Sequence, residues 1–333
     1  MIKIMEEKPT SGTVKSASAY RLDPEISRDL AIFTSSHPPV EKVANGDIHE
    51  LRKFGDQLYI NMADHLPLNE HVKRQNFQLE TKEGTSISMR WYSVEEKSEN
   101  GPAVVFVHGG GRVFGSLDLY DQVVADYVNR SKVPFLSVDY HLVPETTGRV
   151  QNEEVLDVIL WLKANATQLG VDKDRIGIMG DSGGGGIAAG VAILARDQNI
   201  GLAKQILIYP MLDHRSSVLN EKIEPFAVFG HVELSLLWPA ILGSDELNEY
   251  DKIIVSPSLL EDFDGLTPVY IAIGDLDYFR DESIEYARKL ALAGVPLEFH
   301  VFPGAPHGFE IFTPNTEMSK IAMASHVRAI RSF

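Results

Sequence analysis

The sequence predicts an α/β fold with a mostly parallel central sheet, and three observations carry that prediction. From about Ala103 onward, short apolar runs alternate with helical patterns, as expected of buried strands joined by crossover helices. Residues with reactive side chains fall just past the ends of those runs, where such folds build their sites. A chain of 333 residues that is 44% apolar and 23% charged is ordinary for a globular protein and long enough to bury a substantial core.

Residues 1–70 carry helical signals. Asp23-Pro24-Glu25 reads as a cap followed by proline at the first helical position, and Ile48–Leu66 is amphipathic. Asn76–Glu80 and Ser86–Ser93 read as two exposed strands that pair as a hairpin around Glu83-Gly84. The buried strands are Ala103–Val107, Phe135–Tyr140, Ile176–Met179, Gln205–Tyr209, Val269–Ile273 and Leu297–Phe302. Val155–Leu169 is a helix with Val155, Val158, Ile159 and Leu162 on one face, and Gly185 through Ala195 is a helix rich in Ala and Gly. Asp281–Leu292 is a helix with Asp281 as its N-cap and Gly294 as its stop. Glu317–Ile330 closes the chain, with apolar residues at Ile321, Ala322, Ala324, Val327 and Ile330.

Residues 212–252 break the alternation between the strand ending near Tyr209 and the one starting at Val269. They include Phe226-Ala227-Val228-Phe229 and the apolar stretch Leu234 through Leu242. Excursions of that length between core strands are usually functional lids; the plain alternative is a second helical layer with no part in binding.

A formal net charge of −16 argues against nucleic acid and anionic membrane surfaces as partners, because both require a basic face. With no cysteine, disulfides, thiolate metal sites and a Cys nucleophile are excluded. The stretch Met1–Pro9 has no apolar signal-peptide core, and no run approaches the ~18 apolar residues of a membrane span. The expectation is a cytoplasmic protein.

The chemistry begins at Gly180-Asp181-Ser182-Gly183-Gly184, at the junction of a strand and a helix. A Gly-x-Ser-x-Gly at that switch is a nucleophile elbow, which holds a serine oxygen at the tip of a strained turn. The pentapeptide alone is weak evidence, since chance supplies one in roughly one chain in ten of this length. Its companions give it weight. His108-Gly109-Gly110-Gly111 follows the strand Ala103–Val107, and consecutive glycines leave backbone N–H groups free to approach a developing oxyanion. The alternative, a phosphate cradle, wants a Gly-x-x-x-x-Gly-Lys-Ser/Thr spacing that is absent. Past Val269–Ile273 come Asp275, Asp277 and Asp281; with Asp281 assigned to capping, spacing leaves Asp275 and Asp277 as equal candidates for a catalytic acid. His307, in Pro303-Gly304-Ala305-Pro306-His307-Gly308-Phe309, follows the last strand. Serine, acid and histidine thus occur in the order expected of a triad on this kind of fold.

These motifs resemble those of hormone-sensitive lipase-like esterases, which are α/β-hydrolases, over roughly residues 75–333. The family's His-Gly-Gly-Gly stands at His108–Gly111 and its Gly-Asp-Ser-Ala-Gly elbow at Gly180–Gly184. Its Asp-Pro-Leu-Arg-Asp is matched by Asp277-Tyr278-Phe279-Arg280-Asp281, and its His-Gly-Phe by His307–Phe309. Its Tyr-Arg-Leu-Ala-Pro-Glu appears as Tyr140-His141-Leu142-Val143-Pro144-Glu145. The resemblance selects Asp277 over Asp275. It implies an α/β-hydrolase fold with a helical cap segment at 1–70 and a catalytic unit at 71–333 carrying a cap insertion at about 212–252.

The activity implied is hydrolysis of short to medium acyl esters, with Ser182, Asp277 and His307 as the triad and Gly110, Gly111 and Gly183 as oxyanion donors. His108 braces its loop, and Asp181, Glu145 and Arg280 support the site. Three departures stand out. Gly183 replaces the alanine after the nucleophile, Arg112 follows the glycines where the family carries an aromatic or aliphatic residue, and Thr146-Thr147-Gly148-Arg149 replaces a segment ending in Phe-Pro. Arg112 at the mouth would favour an anionic substrate or pair with an acid. Phe226, Phe229 and Trp238, with Phe33, Phe54 and Tyr59, suggest an apolar pocket, and Arg112, Phe229 and Trp238 are the expected substrate contacts. The expected partner is a small-molecule ester, with no cofactor or metal, on a monomer or homodimer. The same triad serves amidases and lactonases, and a hormone-receptor-like binding protein is the alternative from another class, though such receptors lack the histidine present here.

Overall fold

The computed structural model describes residues 20–37, 46–244 and 246–333. Met1–Pro9 and the rest of residues 1–19 and 38–45 within the N-terminal segment lie outside the described residues. Among those described, strands β1 (Lys73–Glu80), β2 (Ser86–Ser93), β3 (Gly101–Val107), β4 (Phe135–Asp139), β5 (Val171–Asp181), β6 (Gln205–Ile208), β7 (Val269–Gly274) and β8 (Leu297–Phe302) form one sheet. Their order is β1-β2-β4-β3-β5-β6-β7-β8. The first two strands form the antiparallel hairpin anticipated around Gly84, β2 runs antiparallel to β4, and every pair from β4 to β8 is parallel.

Alternation along β3 explains the layers. Val104 and Phe106 pack into the core on one face, and Ala103, Val105 and Val107 into the core on the other, because successive strand side chains point to opposite sides. The chain leaves β3 toward β4 in one direction and later returns to β5 on β3's other side. That reversal opens a crevice at the C-terminal ends of β3 and β5, where the two glycine motifs meet.

Helices cover both faces: α3 (Asp121–Ser131), α4 (Val150–Leu169), α5 (Ser182–Asp197), α8 (Arg280–Leu292) and α9 (Glu317–Ile330). Two details differ from the sequence reading. Helix α3 was not anticipated; its N-cap Tyr120 makes no side-chain capping bond, so no start signal is written there. Asp281 is not the N-cap of α8: Phe279 holds that position, and Asp281 lies in the first turn beside Arg280, at 2.7 Å. Gly294 does sit in the left-handed conformation expected of a helix stop.

Over the crevice lie α1 (Pro24–Ser36), α2 (Ile48–His65) and α6 (His231–Leu242), while α7 (Glu249–Val255) packs against α5, where a Cβ on Gly190 would meet the Ile254 carbonyl oxygen. Asp23 caps α1 by accepting the N–H groups of Glu25 and Ile26. Phe33 of α1 stacks edge-on against Phe312, and Phe54 of α2 against Phe229. The departing Thr146–Arg149 loop docks here too: Gly148 donates its N–H to Ile241, and Arg149 pairs with Asp251. Among the described residues no helix is long and apolar enough to cross a membrane.

Candidate active site

The site is built at the first residue of α5. Ser182 has φ +53°, a left-handed backbone that a residue with a Cβ rarely adopts and that marks stored strain. The turn exists because its neighbours are glycines. A Cβ on Gly180 would fall 2.4 Å from the Gly184 carbonyl oxygen, and one on Gly184 would fall 2.2 Å from that of Val107. Backbone therefore packs on backbone, and the serine oxygen is left at the tip with the N-terminus of α5 beneath it.

His307 reaches that oxygen from the loop after β8. Its Nε2 lies 3.0 Å from Ser182 Oγ, and its Nδ1 lies 2.6 Å from Asp277 Oδ2. Asp277 is buried, and its other oxygen accepts the Phe279 N–H at 2.9 Å. The imidazole is held from its sides by Tyr209, with ring centres 4.5 Å apart, and by Phe279, edge-on at 5.3 Å. Burial pulls the His307 imidazolium down, but the charge and hydrogen bond of Asp277 outweigh it, so its pKa lies above the ordinary histidine value. Asp275, the competing acid, turns away: its Oδ1 accepts the Gly304 N–H at 2.6 Å and fixes the loop that carries His307.

The glycines after β3 close over the serine. Gly110 and Gly111 have φ +107° and +58°, and a Cβ on Gly110 would collide with the Phe114 carbonyl oxygen at 2.1 Å. The same closeness accounts for Gly183. A methyl there would lie 2.8 Å from the Arg112 nitrogen and 2.9 Å from Gly111, so glycine lets this loop sit closer to the helix than alanine permits. Gly110 and Gly111 line the same cavity as Ser182, and Gly183 lies in the first turn of α5, whose N–H donors have no partner in the helix. His108 is fully buried; its Nδ1 donates to the Gly109 carbonyl at 2.8 Å and its ring stacks on Tyr140. It braces the loop. Asp181 supports the loop from below, accepting the Tyr120 hydroxyl at 2.7 Å, and burial pushes its carboxyl up to about 6 against that hydrogen bond.

A family described as the α/β hydrolase fold matches residues 104–311, which contain all of these groups. The chain is an α/β-hydrolase of the hormone-sensitive lipase-like family. An arylesterase of Saccharolobus solfataricus is 28% identical over 86% of this chain and 93% of its own length. An ethyl acetate hydrolase of Pseudomonas putida is 30% identical over 70% of this chain and 74% of its own. The solved structure of a bacterial heroin esterase superposes with a TM-score of 0.80 at 30% identity, covering 93% of this chain and 97% of that one. This α/β-hydrolase is a carboxylic ester hydrolase.

The cavity of this esterase departs from the sequence reading in two of its three expected substrate contacts. Phe229 lines the cavity, together with Tyr59, Phe114, Met211, Leu234 and Leu237. Arg112 does not. It is fully buried with φ +66°, and its side chain runs away from the mouth to donate to the Val255 carbonyl at 3.1 Å. Among the described residues it pairs with no acid, and burial lowers its pKa to about 10. A left-handed backbone at position 112 aims the side chain under α5, which no sequence pattern states. Trp238 also lies away from the cavity, buried inside α6's packing against His214, because it sits one residue round the helix from Leu237. Phe114, Leu234 and Leu237 are wall residues that no sequence signal singles out, the last two lying within the apolar stretch 234–242.

A second lobe opens on the other side of Ser182 and His307, lined by Tyr59, Met62, Tyr120, Tyr209 and Ile311. Each lobe has a free volume of about 20 Å³, room for little more than a water molecule. Glu145 is tied to Arg52 of α2, whose Nε donates to the Val113 carbonyl, which joins the helical cover to the glycine loop after β3. Among the described residues no group of three or more His, Asp or Glu is placed to hold a metal ion.

Proposed function

We propose that this esterase hydrolyses small esters through an acyl-enzyme on Ser182. The carrying observation is the continuous chain Ser182 Oγ–His307–Asp277, with contacts of 3.0 and 2.6 Å, beneath the glycine N–H groups. His307 Nε2 takes the Ser182 proton as Oγ adds to the ester carbonyl carbon. The C=O electron pair moves onto oxygen, where the N–H groups of Gly110, Gly111 and Gly183 receive it; one such donor is worth ~100–1000-fold in rate. Collapse breaks the bond to the alkoxy oxygen, which leaves as the alcohol with the proton from Nε2. Water, deprotonated by the same nitrogen, then releases the acid and restores Ser182. Asp277 fixes the tautomer and stabilises the imidazolium.

Narrow lobes on both sides of the serine favour short acyl groups and compact alcohols. The similarity to enzymes named for ethyl acetate and aryl esters supports the same range. The N-terminal segment through residue 70 and the insertion at 212–252 act in this reading as the cap that sets the cavity's size. Ser182→Ala should lower turnover of p-nitrophenyl acetate by more than ~1000-fold and abolish labelling by a fluorophosphonate. Activity that survives in that variant overturns the reading.

A further inference from the structure

Tyr278 follows the acid Asp277 and does something the triad does not require. It borders the inner cavity beside Ser182 and also a larger open groove of about 700 Å³ outside, lined by Tyr20, Asn220, Lys222 and Arg280. Its buried ring is therefore the partition between them. The phenol is latched. Its oxygen accepts the Asn220 N–H at 3.0 Å and donates to Glu224 Oε2. The same Glu224 oxygen accepts the N–H of His231 at 3.1 Å, and His231 is the first residue of α6.

From there the path returns to the substrate. Helix α6 carries Leu234 and Leu237 into the cavity wall, and Leu237 lies so close to Gly111 that a Cβ there would meet its methyl at 2.9 Å. One hydroxyl thus fixes the partition itself and, through Glu224, the start of the helix that roofs the oxyanion hole. The family's motif has proline at this position, which has no hydroxyl to offer.

We infer that Tyr278, latched to Glu224, is the specificity-determining residue that limits the length of ester this site accepts, by closing the inner cavity against the outer groove. The inference rests on the reading of Ser182 as the nucleophile. With the latch closed, an acyl or alkyl chain ends at the Tyr278 ring; with it open, the chain continues into the groove. A hydrogen bond to a carboxylate is among the stronger neutral-donor bonds, so the closed state is the default.

The test compares kcat/KM for p-nitrophenyl octanoate and acetate. Tyr278→Ala should raise the octanoate-to-acetate ratio by about tenfold or more, the scale on which a pocket discriminates a few methylenes. Tyr278→Phe keeps the ring and removes only the hydroxyl, while Glu224→Ala keeps the ring and removes the acceptor shared by the phenol and the His231 N–H; each should raise the ratio about threefold to tenfold, chiefly through KM, and the double variant should add little. Glu224→Gln, which preserves an acceptor, should return the ratio toward wild type. If Tyr278→Ala does not fold, the two latch variants decide. An unchanged ratio in both, or fully additive effects, overturns the inference. Failure of the triad reading looks different: ester turnover then survives Ser182→Ala, whatever the ratio does.

Discussion

The two walls of the cavity are held by different physics. On the sheet side, the elbow and the oxyanion loop meet backbone to backbone, with carbonyl oxygens 2.1–2.4 Å from where glycine Cβ atoms would be. On the helical side, the wall is side chains: Leu237 over Gly111, Phe229 against Phe54 and Phe114, and a few latching hydrogen bonds. Reacting atoms lose much of their advantage when misplaced by an ångström, and close backbone packing is the tightest restraint available. A wall that selects substrates needs no such tolerance, and side-chain packing lets it vary without disturbing the chemistry.

That contrast is exposed to tests of decreasing size. Asp277→Asn leaves the shape of the sheet side intact but offers His307 the wrong hydrogen-bond partner, and should lower kcat by about 10,000-fold. Asp275→Asn, which alters the hold on the loop at Gly304 and Ala305 and not the imidazole, should cost far less. Steady-state rates on one short ester settle the order, and a reversed order reassigns the acid.

Gly183→Ala puts a methyl where 2.8–2.9 Å is available against Arg112 and Gly111. The oxyanion loop must move, and kcat should fall by about 10- to 100-fold with KM little changed, a fraction of the loss of a whole donor. Wild-type kcat in this variant would mean that the sheet side is less rigid than its packing implies.

On the helical side, Leu237→Ala should shift relative kcat/KM toward longer acyl chains by about tenfold, with a stability loss of about 2–5 kcal/mol in thermal or denaturant unfolding. A collapse of acetate turnover as deep as that of Gly183→Ala would erase the distinction between the walls. The smallest effect belongs to Arg112→Met. Because the guanidinium lies behind the loop with two nitrogens lacking hydrogen-bond partners among the described residues, KM for anionic and neutral esters should move together, within about twofold. Stability should hold or rise, since a buried charge without a counter-charge is replaced by an apolar chain of similar volume. A selective loss of anionic substrates would return Arg112 to the mouth.

Much of the sheet was legible in advance because buried strands write continuous apolar runs, and β8 appears with the bounds expected, Leu297–Phe302. Helix α3 was not, because Tyr120 offers no capping side chain to announce it. The positions of Ser182 and His307 could be read from glycine-bound turns at strand ends. The choice between Asp275 and Asp277 could not be read from spacing, since both follow β7 and only the fold decides which one faces the imidazole.

What the sequence determined by itself was the local chemistry: glycines where only glycine fits, a serine at a strand-to-helix switch, an acid and a histidine past later strands. Those signals are written in short stretches of the chain, although the close approaches that demand the glycines come from the fold. Tertiary structure alone decided which way Arg112 points, that Leu237 rather than Trp238 lines the cavity, and that Tyr278 reaches Glu224 across 54 positions of sequence. A side chain's direction depends on backbone dihedrals and on partners brought from distant segments, and no one-dimensional pattern carries either.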